Sequence, residues 1–432
     1  MTDAATLLDS IKEDQRWFCM LAGNERSIAI AFEGRRFWIW RDGNRDPKEA
    51  FGRDFEHAKE QVAELVHAAI AAGMEHDRGA RDPGVKPELV FASNPALEAA
   101  CRAAPDDPAP WSVYADWLMQ QGDPRGETAA LKRAGRSMPI DAFIDETAVQ
   151  ITSWRHGFPS SATIKTEYGA LVLPKLTQTF LASPMATFVD ALRFGLAGFE
   201  SNNDWEPTLE AVRSSAVADH IRSVKLDDFD SGDCEMSWVP TGNLAKLWQL
   251  PNLREVVISG GQSGELGTIV APKLETFIRI SGGLQQNELQ SIMSAHWPEL
   301  RHLEIWFGSV RYNAEGTAAH LAPILSGAGT PKLAHLGIVN CELVLAALEA
   351  LIASPLLKRL RTLDLSHGVM STDECRLVVE NADAFRHLER IDVSDNFLTY
   401  SELQQLERVL TNVVTTGQRD VEDYGRFAAL GE

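Results

Sequence analysis

Two matching stretches, LKRLRTLDLSHGVM at residues 357–370 and FRHLERIDVSDNFL at residues 385–398, decide the fold. Each contains three apolar residues at the first, fourth and sixth positions of a short segment: Leu360/Leu363/Leu365 and Leu388/Ile391/Val393. The fourth and sixth positions lie on the same side of an extended chain, because side chains alternate between the two faces of a strand. Each stretch therefore predicts a short strand with one buried face.

The same spacing recurs along the C-terminal half of the chain, with first positions 21 to 33 residues apart. The other copies are Val189/Leu192/Phe194, Ile221/Val224/Leu226, Leu253/Val256/Ile258, Leu300/Leu303/Ile305 and Leu333/Leu336/Ile338. One further copy, Leu274/Phe277, has Arg279 at its third position and Ile280 one residue late, which predicts a small β-bulge. A single repeat cannot cover its own apolar face, so the strands must stack into a parallel sheet with a continuous core.

This pattern resembles the leucine-rich repeat. The resemblance implies an α/β solenoid over residues 151–410, with parallel strands on the concave face and helices and loops on the convex face. Residues 372–381 and 401–410 read as two of those helices. Asn396 lies where such repeats carry an asparagine that hydrogen-bonds loop backbone, whereas the two preceding copies have Gly368 and Cys341 there. Residues 411–432 show little periodicity and are interpreted as a C-terminal cap or tail.

Residues 93–150 are predicted to form a small helical domain. Pro124 follows Asp123 at the start of its third helix, a typical capping arrangement, and Asp116 is expected to pair with Arg125. The strings APDD (residues 104–107), YADWL (residues 114–118) and GDPRGE (residues 122–127) resemble the bacterial repeat-companion domain. That family implies no activity, but it implies that repeats follow and that the protein is bacterial.

Residues 1–75 are predicted to form a small α+β domain, followed by a linker at residues 76–92. Residues 27–32 and 36–40 predict a β-hairpin, and the apolar spacing of residues 55–72 predicts a helix. FWIW at residues 37–40 and FGR at residues 51–53 resemble the WGR domain, although Phe51 replaces the Trp that names it. This resemblance implies a link to nucleic acid.

The composition limits the class of protein. The 432 residues carry a formal net charge of −20, which disfavours binding to nucleic acid phosphates and to anionic membranes. The five cysteines are scattered without CxxC spacing, so we predict buried reduced thiols. The N-terminus lacks the features of a signal peptide, and no apolar run reaches the roughly 18 residues that span a bilayer. We therefore expect a cytoplasmic protein.

The residues between the core positions of each strand are predicted to point out of the concave face. They provide the candidate partner-binding residues His302, Glu304, Trp306, His335, Asp364, Arg390 and Asp392. An aromatic side chain flanked by charges is typical of a binding hot spot. These residues predict a non-enzymatic scaffold or adaptor that recognises a protein partner, and the acidity of the chain is compatible with a basic one.

Two alternatives remain open. His302, His335 and Glu304 could bind zinc. Two histidines and one carboxylate are weak evidence for a zinc site, so we interpret them as surface residues. No metal, cofactor or catalytic residue is predicted, since no phosphate loop, HExxH or GxSxG motif is present. The second alternative is a regulator that contacts nucleic acid through the WGR-like module, using Arg35, Arg36, Arg41 and Arg45, while the repeats select a protein partner.

Overall fold

The computed structural model describes most of the chain, in two compact units of residues 1–89 and 90–432. The described residues are 4–12, 17–22, 26–33, 35–41, 48–51, 53–72, 74–76, 91–136, 148–166, 172–198, 202–421 and 425–428. Of the predicted linker, residues 77–90 lie outside this set. No helix among the described residues is long and apolar enough to cross a membrane.

The first unit is an antiparallel sheet that packs against one long helix. Its elements are α1 (Ala4–Leu8), β1 (Trp17–Ala22), β2 (Ser27–Glu33), β3 (Arg36–Arg41), β4 (Lys48–Phe51), α2 (Phe55–Ala71) and β5 (Glu75–His76), with strand order β4-β3-β2-β1-β5. The predicted hairpin is confirmed as β2–β3, with Phe32 opposite Phe37. The predicted helix is confirmed as α2, and the Asp54 side chain caps it by accepting a hydrogen bond from the His57 amide.

The second unit begins with three helices: α3 (Pro95–Ala103), α4 (Pro108–Gln120) and α5 (Pro124–Arg133). Each starts with a proline that follows a capping side chain, and the capping residues are Asn94, Asp107 and Asp123. The helices enclose the buried rings of Trp111 and Tyr114, which also contact Phe158 and Phe188. Because those two phenylalanines belong to the segment that follows, the helices share a core with the sheet.

The predicted pairing of Asp116 with Arg125 is wrong. Asp116 lies on the exposed side of α4. Arg125 is 5% exposed and donates to Asp123, with 2.7 Å between Nη2 and Oδ2. The same guanidinium donates to the carbonyl oxygens of Ala92 and Pro184. Arg125 therefore links α5 to the chain before α3 and to a turn near the first repeat.

The rest of the second unit is a large, mostly parallel sheet with helices between its strands. The strands are β6 (Val149–Arg155), β7 (Phe158–Ile164), β8 (Ala191–Phe194), β9 (Ser223–Leu226), β10 (Pro240–Asn243), β11 (Glu255–Ser259), β12 (Gln262–Glu265), β13 (Thr276–Ile280), β14 (His302–Gly308), β15 (His335–Cys341), β16 (Thr362–Asp364), β17 (Arg390–Asp392) and β18 (Val413–Val414). The helices are α6 (Val172–Ala182), α7 (Glu206–Arg213), α8 (Gln286–Ser294), α9 (Ala322–Leu325), α10 (Val344–Ile352), α11 (Thr372–Glu380), α12 (Ala382–Phe385) and α13 (Tyr400–Val409).

Eleven of these strands form one sheet, in the order β18-β17-β16-β15-β14-β13-β11-β9-β8-β7-β6. β6 and β7 are antiparallel, and their pairing is irregular around Ser153. Every later pair is parallel. Strands β10 and β12 pair separately. The strands therefore follow one another through the sheet in sequence order, as the spacing of the apolar residues predicts.

The second core positions of successive copies lie directly beside one another and are all buried. They are Leu192, Val224, Val256, Phe277, Leu303, Leu336, Leu363 and Ile391. Together with residues of the intervening helices they belong to one core that extends from Val149 to Leu410. The predicted parallel ladder and its continuous core are confirmed.

The predicted bulge in β13 is wrong. Arg279 is in register with Ile258 on one side and Ile305 on the other, so it occupies the third core position itself. It is fully buried and its guanidinium binds the carboxylate of Glu288 in α8, with 2.9 Å between Nη2 and Oε2. Its Nη1 donates to the carbonyl oxygens of Gly260 and Ile280. An arginine can lie here because its charge is paired and its donors are satisfied.

Asn396 is fully buried in the turn after β17. Its Nδ2 donates to the carbonyl oxygens of Leu365, Val393 and Ser394, and its Oδ1 accepts from the Met370 amide. The predicted role of this asparagine in holding loop backbone is confirmed. Residues that follow the last helix continue the structure, because β18 pairs with β17 and Arg419 donates to the carbonyl oxygen of Gly368.

All five cysteines are buried and none forms a disulfide, as predicted. Burial raises the pKa of the Cys341 thiol to about 12, and it raises the pKa values of Cys19 and Cys375 to about 11. These thiols are therefore protonated at neutral pH and behave as small apolar core residues.

Candidate functional site

One side of the large sheet carries polar residues in two columns, which we call the polar face. The first column is Glu255, Thr276, His302, His335, Thr362 and Arg390, and the second is Glu304, Gly337, Asp364 and Asp392, with Trp306 next to the second column. The strand register places them in line, because each alternates with a core residue. The structure thus brings together all seven predicted partner-binding residues on one surface, while their role remains a prediction.

Trp306 is more covered than a fully outward position implies. Its ring stacks on the imidazole of His367, with 5.1 Å between centroids and 24° between planes. Its Nε1 donates to Oε1 of Glu304 at 2.6 Å. The indole is therefore half-buried and held in one orientation. This lowers the entropy cost of ordering the side chain when a partner binds.

His367 is a member of the polar face that sequence reasoning missed. It follows β16 in a turn and adopts a left-handed backbone with φ 59°. Its Nδ1 lies 3.6 Å from Oδ2 of Asp395, a second non-glycine residue with positive φ. The sequence does contain a signal for this contact. His367 and Asp395 are the last residues of the aligned segments LDLSH and IDVSD, so they occupy equivalent positions in neighbouring repeats.

His302 and His335 stack directly on neighbouring strands. Their ring centroids are 3.9 Å apart and their planes differ by 9°. A hydrogen bond of 2.7 Å joins Nδ1 of His335 to Oγ1 of Thr362. Burial, reinforced by the adjacent His302, lowers the pKa of His335 to about 4. His335 is therefore neutral at physiological pH.

Glu304 lies at the centre of this arrangement. Its Oε2 is 3.4 Å from Nε2 of His302 and 3.9 Å from Nε2 of His335. Burial opposes its ionisation, but hydrogen bonds from His302 and Trp306 outweigh burial and hold the pKa of the Glu304 carboxyl below its usual value. A charged carboxylate is thus maintained between the two imidazoles and the indole.

The remaining carboxylates differ in their environments. Burial, together with the nearby charges of Asp392 and Glu304, raises the pKa of Asp364 despite hydrogen bonds from Ser366. Asp392 is 7% exposed, because Arg390 and Ser394 cover it. Burial disfavours its charge, yet these hydrogen bonds lower its pKa. Arg390 is exposed, so its guanidinium rather than the Asp392 carboxylate presents the more accessible charge.

A cleft lies outside the polar face. Its volume is about 1130 Å³, and its lining includes Arg102, Arg125, Lys175, Glu210 and His220. Sequence reasoning missed it because its walls come from helices that are distant in the chain. The cleft carries both signs of charge and does not include any of the predicted partner-binding residues.

The arginines of the nucleic-acid alternative belong to the first unit. Arg36 and Arg41 are exposed at the two ends of β3, and Arg35 is exposed in the preceding turn. Arg45 lies outside the described residues.

Comparison with known proteins gives a likeness in fold. No protein-family model matches the chain, and no curated protein matches it. Among solved structures, it is similar to a protein from Bacteroides fragilis, with a TM-score of 0.54 and 17% identity over 97% of this chain and 100% of that one. It also aligns with an internalin from Listeria monocytogenes, with a TM-score of 0.29 and 11% identity over 61% of this chain and 82% of that one. The first likeness concerns the fold alone, and the second is too distant to carry an argument.

Proposed function

We propose that residues 151–410 form a leucine-rich-repeat solenoid that binds a protein partner through the polar face and catalyses no reaction. The observation that carries this proposal is the alignment of the half-buried Trp306 with the carboxylates Glu304 and Asp364 on one face of a continuous parallel ladder. A rigid aromatic side chain surrounded by charge is the usual composition of a binding hot spot.

The chemistry of the polar face favours a partner with basic groups. Glu304 remains charged at neutral pH, and Asp364 and Glu255 lie in the same columns. Arg390 provides one exposed cation, next to Asp392. The net charge of −20 adds long-range attraction for a positively charged protein. Binding of this kind should weaken as the ionic strength rises, because salt screens charges on exposed surfaces.

Trp306→Ala is expected to weaken partner binding by about 30-fold or more, the effect of losing a hot-spot residue. Asp364→Asn should weaken binding of a basic partner to a smaller extent, because it removes the charge and keeps an oxygen that can accept from Ser366. Affinity capture from cells of the source organism, followed by mass spectrometry, identifies the proteins that each variant loses. Titration of the purified partner then measures the loss.

Matched controls separate binding from folding. Trp238 is 46% exposed and lies off the polar face, so Trp238→Ala should retain the partner. Asp383, with a side chain 88% exposed on α12, provides the corresponding control in Asp383→Asn. The proposal fails if Trp306→Ala and Asp364→Asn retain wild-type affinity for every captured protein, or if the two control variants lose the same proteins.

A further inference from the structure

Three potential metal ligands converge in the middle of the polar face. One ring nitrogen of His302, one ring nitrogen of His335 and a carboxylate oxygen of Glu304 all lie within 4.8 Å of one another. Within the described part of the chain, no other three His, Cys, Asp or Glu side chains bring their ligand atoms this close. All three residues come from the adjacent strands β14 and β15, whose register places His302 directly beside His335.

We propose that His302, His335 and Glu304 bind a divalent transition-metal ion of the zinc class, with a fourth coordination position open to water or to a partner. Imidazole nitrogen and carboxylate oxygen are ligands that Zn²⁺ accepts, and three protein ligands with one open position are typical of sites that are not purely structural. This inference is independent of the proposed protein-binding function.

The first argument is the state of His335. Its Nε2 is buried and has no hydrogen-bond partner among the described residues. Leaving a buried polar atom unpaired is unfavourable, so the unpaired Nε2 of His335 needs an explanation. When Nδ1 of His335 donates to Oγ1 of Thr362, the neutral ring carries its lone pair on Nε2, the atom that a metal ion would bind.

The second argument is the support that surrounds the ligands. Histidines that bind metals normally hydrogen-bond through their other ring nitrogen, which fixes the ring orientation. Nδ1 of His335 has such a contact with Oγ1 of Thr362. Trp306 donates to Oε1 of Glu304 and leaves Oε2 facing the histidines. The outer contacts of His335 and Glu304 are thus made, while the inner atoms of all three residues lie near one another.

The distances fit a small ion after a modest adjustment. Zinc bonds of about 2.0–2.2 Å in tetrahedral geometry separate neighbouring ligand atoms by about 3.4 Å. Oε2 of Glu304 is 3.4 Å from Nε2 of His302 and 3.9 Å from Nε2 of His335. The stacked rings must tilt so that their lone pairs converge, which rotation about the soft χ2 torsion allows.

The surrounding charges favour a cation. The carboxylates of Glu304 and Asp364 lie two strands apart in the same column of the polar face. Glu255 interacts with His302, although Lys225 binds it at 2.8 Å. Arg390 lies two strands from His335 in the same column, and Asp392 neutralises it. The local balance is therefore negative without an ion.

The test uses the full chain without an affinity tag, stripped of metal with a chelator and titrated with Zn²⁺ by calorimetry at pH 7.5. We expect one equivalent to bind and to raise the thermal midpoint of unfolding, because an ion that binds the folded state stabilises it. Co²⁺ in place of Zn²⁺ should give a visible absorption band typical of four coordination. Absence of binding, or a Co²⁺ spectrum of six oxygen ligands, overturns the proposal.

Variants then assign the site. His335→Asn keeps a group that can reach Thr362 but removes Nε2, and Glu304→Gln removes the charge at almost constant shape, so each should abolish stoichiometric binding. Thr362→Val should weaken binding by about 10-fold, the effect of losing an outer hydrogen bond. His296→Asn, an exposed histidine elsewhere in the unit, should bind as the wild type does.

Folding of each variant is checked by circular dichroism and thermal unfolding without metal. If His335→Asn is unstable, metal binding by Glu304→Gln decides whether the site is correct. Wild-type binding that persists in Glu304→Gln and in His302→Asn contradicts the site, because the ion must then be held by other histidines.

Discussion

Arg279→Met is expected to lower the free energy of unfolding of the second unit by about 3–5 kcal/mol. The methionine fills a similar volume, but the Glu288 carboxylate is then left buried without its counter-charge. The carbonyl oxygens of Gly260 and Ile280 also lose the hydrogen bonds from the guanidinium. Urea unfolding measures the loss, and amide hydrogen exchange in β11 and β13 shows whether it is local to these strands.

The double variant Arg279→Met/Glu288→Met distinguishes loss of the whole ion pair from loss of one partner. A buried ion pair replaced by well-packed apolar residues is often neutral or stabilising, so the second substitution should recover most of the lost free energy. Arg301→Met is the matched control, since Arg301 is exposed next to β14 and surface substitutions change stability by about 0.5 kcal/mol or less. A loss below about 1 kcal/mol for Arg279→Met would contradict this account of the core.

Asn396→Ala is expected to destabilise the C-terminal repeats by about 2–4 kcal/mol, because the substitution removes four hydrogen bonds between a buried side chain and the loop backbone. The amide of Met370 loses its acceptor, and the carbonyl oxygens of Leu365, Val393 and Ser394 lose a donor. Hydrogen exchange should rise in the turn of residues 366–370 and in β17, while β8 and β9 remain protected.

A matched control is Asn252→Ala. Asn252 also makes two side-chain hydrogen bonds, to Asp219 and Lys273, but both are exposed, so water replaces them and the loss should stay below about 1 kcal/mol. Equal losses for the two variants would show that burial of Asn396 does not matter. Uniform exchange along the whole ladder would show that the effect is not confined to the last repeats.

The sheet could be predicted from the sequence because its signal is repeated. Each copy places an apolar residue at the position of Leu303 or Leu363, and stacking converts this spacing directly into strand register. The same logic placed His302 beside His335 and Asp364 beside Asp392. Periodicity that recurs along the chain therefore gave both the ladder and the composition of the polar face.

Features that depend on contacts between distant residues could not be predicted. Arg279 looked like an interruption because Glu288, its counter-charge, belongs to α8 and not to a strand. The cover of Trp306 by His367 comes from a neighbouring turn rather than from the strand pattern. β1 was missed because its sequence, WFCMLA, is apolar throughout. It does not show the alternation of apolar and polar residues that marks a half-buried strand.

The two outer strands of the large sheet, β18 and β6, determine how readily another copy of the chain could pair with its edges. Unpaired strand edges are templates for pairing with another chain, and short or irregular edge strands reduce that hazard. β18 contains two residues, which offers too little backbone for a second molecule to extend. β6 is longer, but its register shifts between Ile151 and Trp154, and such irregularity bends a strand away from flat pairing. Both edges of the large sheet therefore disfavour extension of the sheet by strands from further copies of the chain.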